Sequence, residues 1–320
     1  SFGQQFIKST LAKYNPKKIN IYSRDEMKQW NMAEQLKKYK SKLEFVIGDI
    51  RDMQRLDMAT KGVDYIIHSA ATKIVPTAED NPFECIKTNI NGAMNVIDES
   101  LDAGVSRVVA LSTDKACSPI NLYGATKLAS DKLFVAANSY GGVGGTRFSV
   151  VRYGNVMGSR GSVIPLFQSF ANSQTPLLIT HPDMTRFMID LSDAVSLVWH
   201  TFSDMVGGEI YVRRTPSMKV TDIALAVAPK IDQEVIGTRP GEKLHEMMIN
   251  SEDADYTYEY ENYFKILPGL YGWHADIDRI KDGKRVPSGF DYRSDRNNEW
   301  MTVKTLQAWF EQNKNLIGKL

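Results

Sequence analysis

The sequence predicts an α/β fold: a doubly wound parallel sheet with a smaller α/β domain closing over its carboxyl edge. Three observations predict it. Short apolar runs alternate with amphipathic stretches through the first half, the pattern of repeated strand–helix–strand units. Those runs are continuously apolar, as in strands buried on both faces. Near residue 155 the texture changes, and Gly158, Gly161, Pro165, Pro176 and Pro182 break the repeat.

In chain order, Gln4–Tyr14 reads as a helix, Lys18–Tyr22 (KINIY) as a strand and Arg24–Tyr39 as a helix. Leu43–Ile47 (LEFVI) is a strand, Asp52–Thr60 a short helix and Tyr65–His68 (YIIH) a strand. Pro82 opens a long helix reaching about Ala103, because a first-turn proline gives up only an N–H that has no partner there. Gly104 ends it in a C-cap role. Arg107–Leu111 (RVVAL) is a strand, Leu122–Asn138 a helix, Phe148–Arg152 (FSVVR) a strand and Asp190–Phe202 a helix. Gly141–Gly145 is a surface turn. The expected division is a sheet domain of residues 1–156 with about 184–206, and a smaller domain of about 157–183 with 207–320.

Composition narrows the function. A chain of 320 residues holds one large or two modest domains. With 42% hydrophobic and 24% charged residues it can build an ordinary core. A net charge of +1 offers no bulk attraction to nucleic acid or an anionic membrane. No apolar run approaches the ~18–20 residues that span a bilayer. Two distant cysteines, Cys85 and Cys117, make no disulfide framework and point to a reduced compartment. The histidines are scattered without metal-ligand spacing, so no metal is expected.

A sheet of this kind binds its ligand outside the carboxyl ends of the strands, and its dinucleotide version opens with a strand and a glycine-rich turn. Here Ser1-Phe2-Gly3 runs straight into a helix. Without the opening strand the sheet would lack a central member and expose apolar neighbours, so a segment is expected to precede Ser1. Ser1, Phe2 and Gly3 would border the dinucleotide. Ser23 and Arg24 end the next strand, with Lys28 one helical turn later. Enzymes using NAD place an acidic residue there, whereas Arg and Lys suit the 2′-phosphate of NADP. Asp49 and Ile50 follow the next strand, with Asp49 expected near the adenine amino group. Ala70 and Ala71, after the next, are small enough to let the cofactor approach the backbone.

The chemistry centres on Ser112-Thr113-Asp114-Lys115 and Tyr123-Gly124-Ala125-Thr126-Lys127. Tyr123 and Lys127 are four apart and share a helix face. A phenol titrates near ~10 in water, and a neighbouring ammonium should lower that value toward a usable base. Lys127 would also reach the nicotinamide ribose, and Thr113 the substrate hydroxyl beside Tyr123.

These motifs, with YSRDEMK at 22–28, GDIRD at 48–52, ECIKTN at 84–89, RYGNVMGSRG at 152–161, TRF at 185–187 and RPGEKLHE at 239–246, span nearly the whole chain in order. The chain resembles the extended short-chain dehydrogenase/reductases. Within them it is similar to the inverting UDP-N-acetylglucosamine 4,6-dehydratases of the pseudaminic acid pathway, which are polysaccharide biosynthesis proteins. The resemblance implies a Rossmann-type NADP domain and a UDP-sugar-binding domain. It implies Asn89, Ser112, Tyr153 and Val156 as further cofactor contacts. Substrate contacts would be Lys73, Asn155, Arg160, Gly161, Val163, Arg186, Arg239 and Glu242.

The implied reaction makes a C4 ketone, removes water across C5 and C6, and returns hydride to C6. Asp114 would be the acid at the C6 hydroxyl, with a raised pKa, and Lys115 the base at C5. Non-inverting relatives have Asp-Glu where this chain has Asp114-Lys115, so C5 inversion is expected. The product would be UDP-2-acetamido-2,6-dideoxy-β-L-arabino-hexos-4-ulose, used in protein glycosylation or surface polysaccharide. A cytoplasmic homo-oligomer, a hexamer being one form, is implied, because membrane-anchored relatives commonly carry Met where Tyr123 stands. The chain departs from the family pattern at Ile74, commonly His, and at Met188, commonly aromatic. Two alternatives stand beside this reading: a UDP-sugar C4 epimerase, and an NADP-sensing protein with a dead site.

Overall fold

The computed structural model describes residues 2–142, 144–314 and 317. It opens with α1 (Phe2–Lys13), β1 (Ile19–Ser23), α2 (Glu26–Gln35), β2 (Leu43–Ile47), α3 (Met53–Thr60) and β3 (Tyr65–His68). The side chains of Asp25 and Asp52 accept the backbone N–H groups of Lys28 and Arg55. Each carboxylate thereby satisfies an orphan donor and sets where its helix begins. α2 is shorter than the expected Arg24–Tyr39, because the chain tightens into a 3-10 turn over Lys37–Lys42.

Next come α4 (Val75–Asp80), α5 (Pro82–Ile86), a π turn at Lys87–Asn91 and α6 (Gly92–Asp102). The expected single helix from Pro82 to Ala103 is therefore interrupted at Asn89, and α4 is an addition to the predicted elements. Gly104 adopts φ 67°, and the Val105 N–H closes on the Ser100 carbonyl at 2.9 Å, a left-handed C-terminal stop.

The remaining elements are β4 (Arg107–Leu111), α7 (Leu122–Ala136), β5 (Arg147–Arg152), β6 (Asn155–Val156), α8 (Val163–Ser173), β7 (Leu177–Ile179) and β8 (Thr185–Ile189). They continue through α9 (Leu191–Asp204), β9 (Ile210–Arg213), β10 (Ser217–Lys219), α10 (Val220–Val227), β11 (Gln233–Val235) and β12 (Met247–Ile249). The chain ends with β13 (Thr257–Glu259), β14 (Tyr263–Ile266), α11 (Ile277–Ile280), β15 (Lys284–Arg285), β16 (Tyr292–Arg293) and α12 (Val303–Asn313).

The main sheet has the order β15-β13-β14-β9-β5-β4-β3. Its β9-β5-β4-β3 half is parallel, and β14, β13 and β15 extend it antiparallel. β1 and β2 pair in parallel as a separate ladder. Among the described residues no strand joins β3 to that pair. α1 links the two by packing rather than by hydrogen bonds. Phe6 enters the core of Val109, Val151 and α9, while Ile7 and Leu11 pack with Met32 and Leu36.

Two further apolar cores follow. One gathers β4, β5 and α6 around Phe134 and Phe148 and includes Phe264, Ile266 and Tyr292. The other gathers Ile164, Phe167, Leu177, Ile179, Met218, Ile223 and Leu306. Residues 207–320 were expected to belong wholly to the smaller domain. The packing divides them instead: β9, β13 and β14 complete the main sheet, and only α10, α12 and their neighbours share the smaller core with residues 157–184.

Candidate active site

The catalytic helix α7 starts at Asn121, whose side-chain oxygen accepts the Gly124 N–H at 2.8 Å. Gly124 is required by contact. A Cβ there would stand 2.2 Å from the Lys115 carbonyl oxygen, so the turn bearing Asp114 and Lys115 can lie directly on the helix bearing Tyr123. The turn is fixed at its other end by β4, because the Ser112 N–H bonds the Val151 carbonyl at 2.7 Å. Strand end, turn and helix start thus bring Thr113, Asp114, Lys115 and Tyr123 together. The Thr113 hydroxyl bonds Asp114 Oδ1 at 3.0 Å and stands beside the Tyr123 phenol.

Asp114 is 1% exposed and its Oδ2 is buried without a partner. Burial pushes its carboxyl above the usual range, against the Lys115 ammonium and with Glu246. That is the direction a general acid needs. Lys115 differs from expectation. Burial opposes its charge, but Asp114 and Glu246, each with an oxygen 3.1 Å from Nζ, outweigh burial and hold it as an ammonium. A C5 base must first shed that proton.

Tyr123 also corrects the sequence reading. Burial pushes its phenol up to about 12, despite the Lys115 charge and the Thr113 hydroxyl. Desolvation of the phenolate is larger than the help from nearby cations. Lys127 is 3% exposed; burial pulls its amine down, and Asp131 opposes that. Asp131 accepts from Ser112 Oγ at 2.7 Å and pairs with Arg152 at 3.2 Å. Ser112, expected against the cofactor, has its hydroxyl committed to this buried network.

Asn89 is likewise a clamp. Its side chain exchanges hydrogen bonds with the Thr72 backbone at 2.8 and 2.9 Å and reaches Thr126 at 3.0 Å. It ties the loop after β3 to α7, and the π turn is what aims it there. Ala70, Ala71 and Lys73 are exposed on that loop. Ser23 and Arg24 end β1, and the Arg24 guanidinium is 3.4 Å from Asp49. Asp49 is held mainly by Arg51, at 2.7 Å, so its carboxylate is already paired. Lys28 pairs with Asp25 at 2.6 Å. The Ile50 side chain packs against Gly92 in the core, and its carbonyl accepts from Asn95 at 2.9 Å. Phe2 and Gly3 lie within α1, where Phe2 stacks on Tyr153; Ser1 lies outside the described residues. Val156 is paired in β6.

On the substrate side, Asn155 is in β6, while Arg160 and Gly161 are exposed just before α8, which begins at Val163. Arg186 is 6% exposed. It bonds the Thr185 and Leu244 carbonyls at 2.7 and 3.2 Å and Glu242 at 3.4 Å. Arg239 is exposed. The segment from 239 to 246 closes over the catalytic turn: Gly241 accepts from Asn121 at 2.8 Å, and Lys243 reaches the Cys117 carbonyl at 2.6 Å. The sequence reading singled out this motif but not Glu246. A lone glutamate far along the chain has no local spacing that ties it to Lys115.

Among the described residues no helix is long and apolar enough to cross a membrane, and no metal-binding group is found. Residues 1–268 match the polysaccharide biosynthesis protein family. The chain is 52% identical over 312 residues to the UDP-N-acetylglucosamine 4,6-dehydratase (inverting) of Campylobacter jejuni, covering 96% of this chain and 93% of that one. It is 43% identical to the UDP-glucose 4-epimerase of Rickettsia prowazekii, covering 83% and 80%. The X-ray structure of Pen from Bacillus thuringiensis superposes with a TM-score of 0.88 at 33% identity, covering 97% of this chain and 95% of that one.

Proposed function

Because this chain belongs to the polysaccharide biosynthesis protein family, and is an extended short-chain dehydrogenase/reductase by fold, we propose that it dehydrates UDP-N-acetylglucosamine across C5 and C6 with inversion at C5. One observation carries the reading: a buried, partner-free carboxyl oxygen on Asp114 lies beside the Lys115 amine and the Thr113–Tyr123 pair. A simple oxidoreductase needs only the last pair.

NADP is the proposed cofactor. The residues after three parallel strands, Ser23-Arg24, the exposed Ala70-Ala71 and Thr113, are its proposed contacts, and Arg24 would meet the 2′-phosphate. When bound, the cofactor would supply the hydride acceptor for C4 and the hydride donor for C6. Tyr123, with Thr113, takes the proton of the C4 hydroxyl. Burial raises the resting pKa of Tyr123, so a nearby positive charge would be needed to ease this transfer. Lys115 takes the C5 proton, which the C4 ketone acidifies. Asp114 gives its proton to the departing C6 hydroxyl. A lysine arm in place of a second carboxylate returns the C5 proton from a different direction, which supports inversion and the arabino product. Lys73, Asn155, Arg160, Val163 and Arg239 are proposed around the UDP-sugar. Arg186 and Glu242, which pair with each other, are proposed there too. The cytoplasm and a homo-oligomer complete the proposal.

C4 epimerisation is the second reading, favoured by the shared Tyr–Lys pair and the epimerase-named relatives. Incubation with UDP-N-acetylglucosamine in D2O, followed by NMR, tests both. A 4-keto-6-deoxy sugar with deuterium at an inverted C5 supports dehydration. A galacto-configured product without loss of water supports epimerisation, and unchanged substrate with tight NADP binding supports a sensor.

A further inference from the structure

The Lys115 ammonium is gripped from two directions. Asp114 Oδ1 stands 3.1 Å from Nζ, and Glu246 Oε1 stands 3.1 Å away on the opposite segment of chain. Glu246 is 1% exposed, and its Oε2 is buried without a partner. Its backbone is anchored: its N–H donates to Ser294 Oγ at 2.9 Å, and its carbonyl accepts the Ser294 N–H at 2.9 Å. Ser294 in turn bonds Thr185 on β8 at 2.7 Å. Isolated buried carboxylates are costly. This one is held by construction, and among its cationic neighbours Lys115 is nearest, with Arg186 Nε 3.9 Å away.

We infer that Glu246 is a positioning residue for the dehydration step: it shares the Lys115 ammonium with Asp114 and aims that amine at C5, leaving Asp114 its proton for C6. The inference rests on the dehydration reading above. If Glu246 were absent, Lys115 would pair with Asp114 alone. That pairing favours the Asp114 carboxylate and removes the acid. The base would also lose its orientation. Oxidation at C4 depends on Thr113, Tyr123 and Lys127, none of which Glu246 contacts by hydrogen bond or ion pair, so it should survive. Besides Asp114 and Glu246, the charged or titratable groups facing Lys115 are Arg186 from β8, Lys243 from the closing segment and Tyr123 from α7.

The experiment uses the full chain loaded with NADP and compares the native protein with Glu246→Gln and Glu246→Asp. In single turnover with UDP-N-acetylglucosamine, Glu246→Gln should still reduce the cofactor, read at the reduced-nicotinamide absorbance. Release of the dehydrated product should fall on the order of 100-fold, the scale of a misplaced catalytic group. Loss of the carboxylate should also lower the proton affinity of Lys115. The rising limb of the pH–rate profile then moves to lower pH by about one unit or more. Glu246→Asp keeps the charge and should keep the native limb with a smaller loss of rate; it also covers the case in which the amide variant fails to fold. Unchanged product release and an unchanged limb in Glu246→Gln overturn the inference. So does an equal loss of cofactor reduction and product, which marks a merely structural role. Native protein that makes no dehydrated product instead defeats the functional reading itself.

Discussion

The strands that carry the chemistry and the strands that would carry the adenosine end of the cofactor are built differently. In β4 and β5, Val108, Val109, Phe148, Val150 and Val151 are fully buried, and both strands have parallel neighbours on each side. In β1 every residue is half-buried, β2 exposes Glu44 and Ile47, and the two form a ladder of their own. The first pair sets Thr113, Asp114 and Lys115 against α7 through backbone bonds that water does not reach. The second pair holds Arg24 on a platform attached by α1 packing. A site that moves protons over fractions of an ångström needs the first kind of support, whereas a phosphate contact by a long arginine tolerates the second.

Four measurements would break or sharpen that contrast. The largest effect belongs to Lys115→Met in the buried half. Dehydration should fall on the order of 10²–10⁴-fold, the usual share of a general acid–base group. NADP affinity by calorimetry should stay unchanged; normal turnover would remove Lys115 from the mechanism. Next is packing. Phe148→Ala should cost about 3–5 kcal/mol in urea unfolding, as for a fully buried aromatic. Phe45→Ala, on the half-buried β2, should cost less than half of that. Equal losses would mean that the two ladders are one cooperative sheet.

Arg24→Ala should weaken NADP by roughly 10–100-fold, the worth of a charge-assisted bond, while NAD binding changes little. Equal weakening of both would show that Arg24 does not read the 2′-phosphate. The last measurement is a pH slope. Burial depresses the His68 pKa to about 3, so the unfolded chain binds this proton from about pH 6.5 downward while the folded chain does not. Stability should therefore fall as pH drops from about 6.5 toward 3, by up to about 1.4 kcal/mol per unit from this group. His68→Phe should flatten that part of the curve.

Much of this was legible in the residues. The strand–helix alternation, the Tyr123–Lys127 spacing and the Asp114-Lys115 pair are local patterns, and local patterns follow from helix and strand periodicity alone. Three things were not. The internal partners of Asn89 and Ser112, Thr72 and Asp131, lie elsewhere in the chain and left no local signal. The extent of the smaller domain was misjudged because β13 and β14 return to the main sheet after a long excursion.

The third concerns proton affinities. The sequence by itself determined which ionisable groups gather: a phenol, a carboxyl and two amines set by short-range spacing around one turn and one helix start. Only the tertiary structure decided their charge states. Desolvation depends on every atom packed around a group, and here it raises Tyr123 where a neighbouring cation alone would lower it. Lys115 is held as an ammonium by Asp114 beside it and by Glu246, which arrives from the far end of the fold to face it, a meeting that no local repeat encodes and that burial makes strong by excluding water.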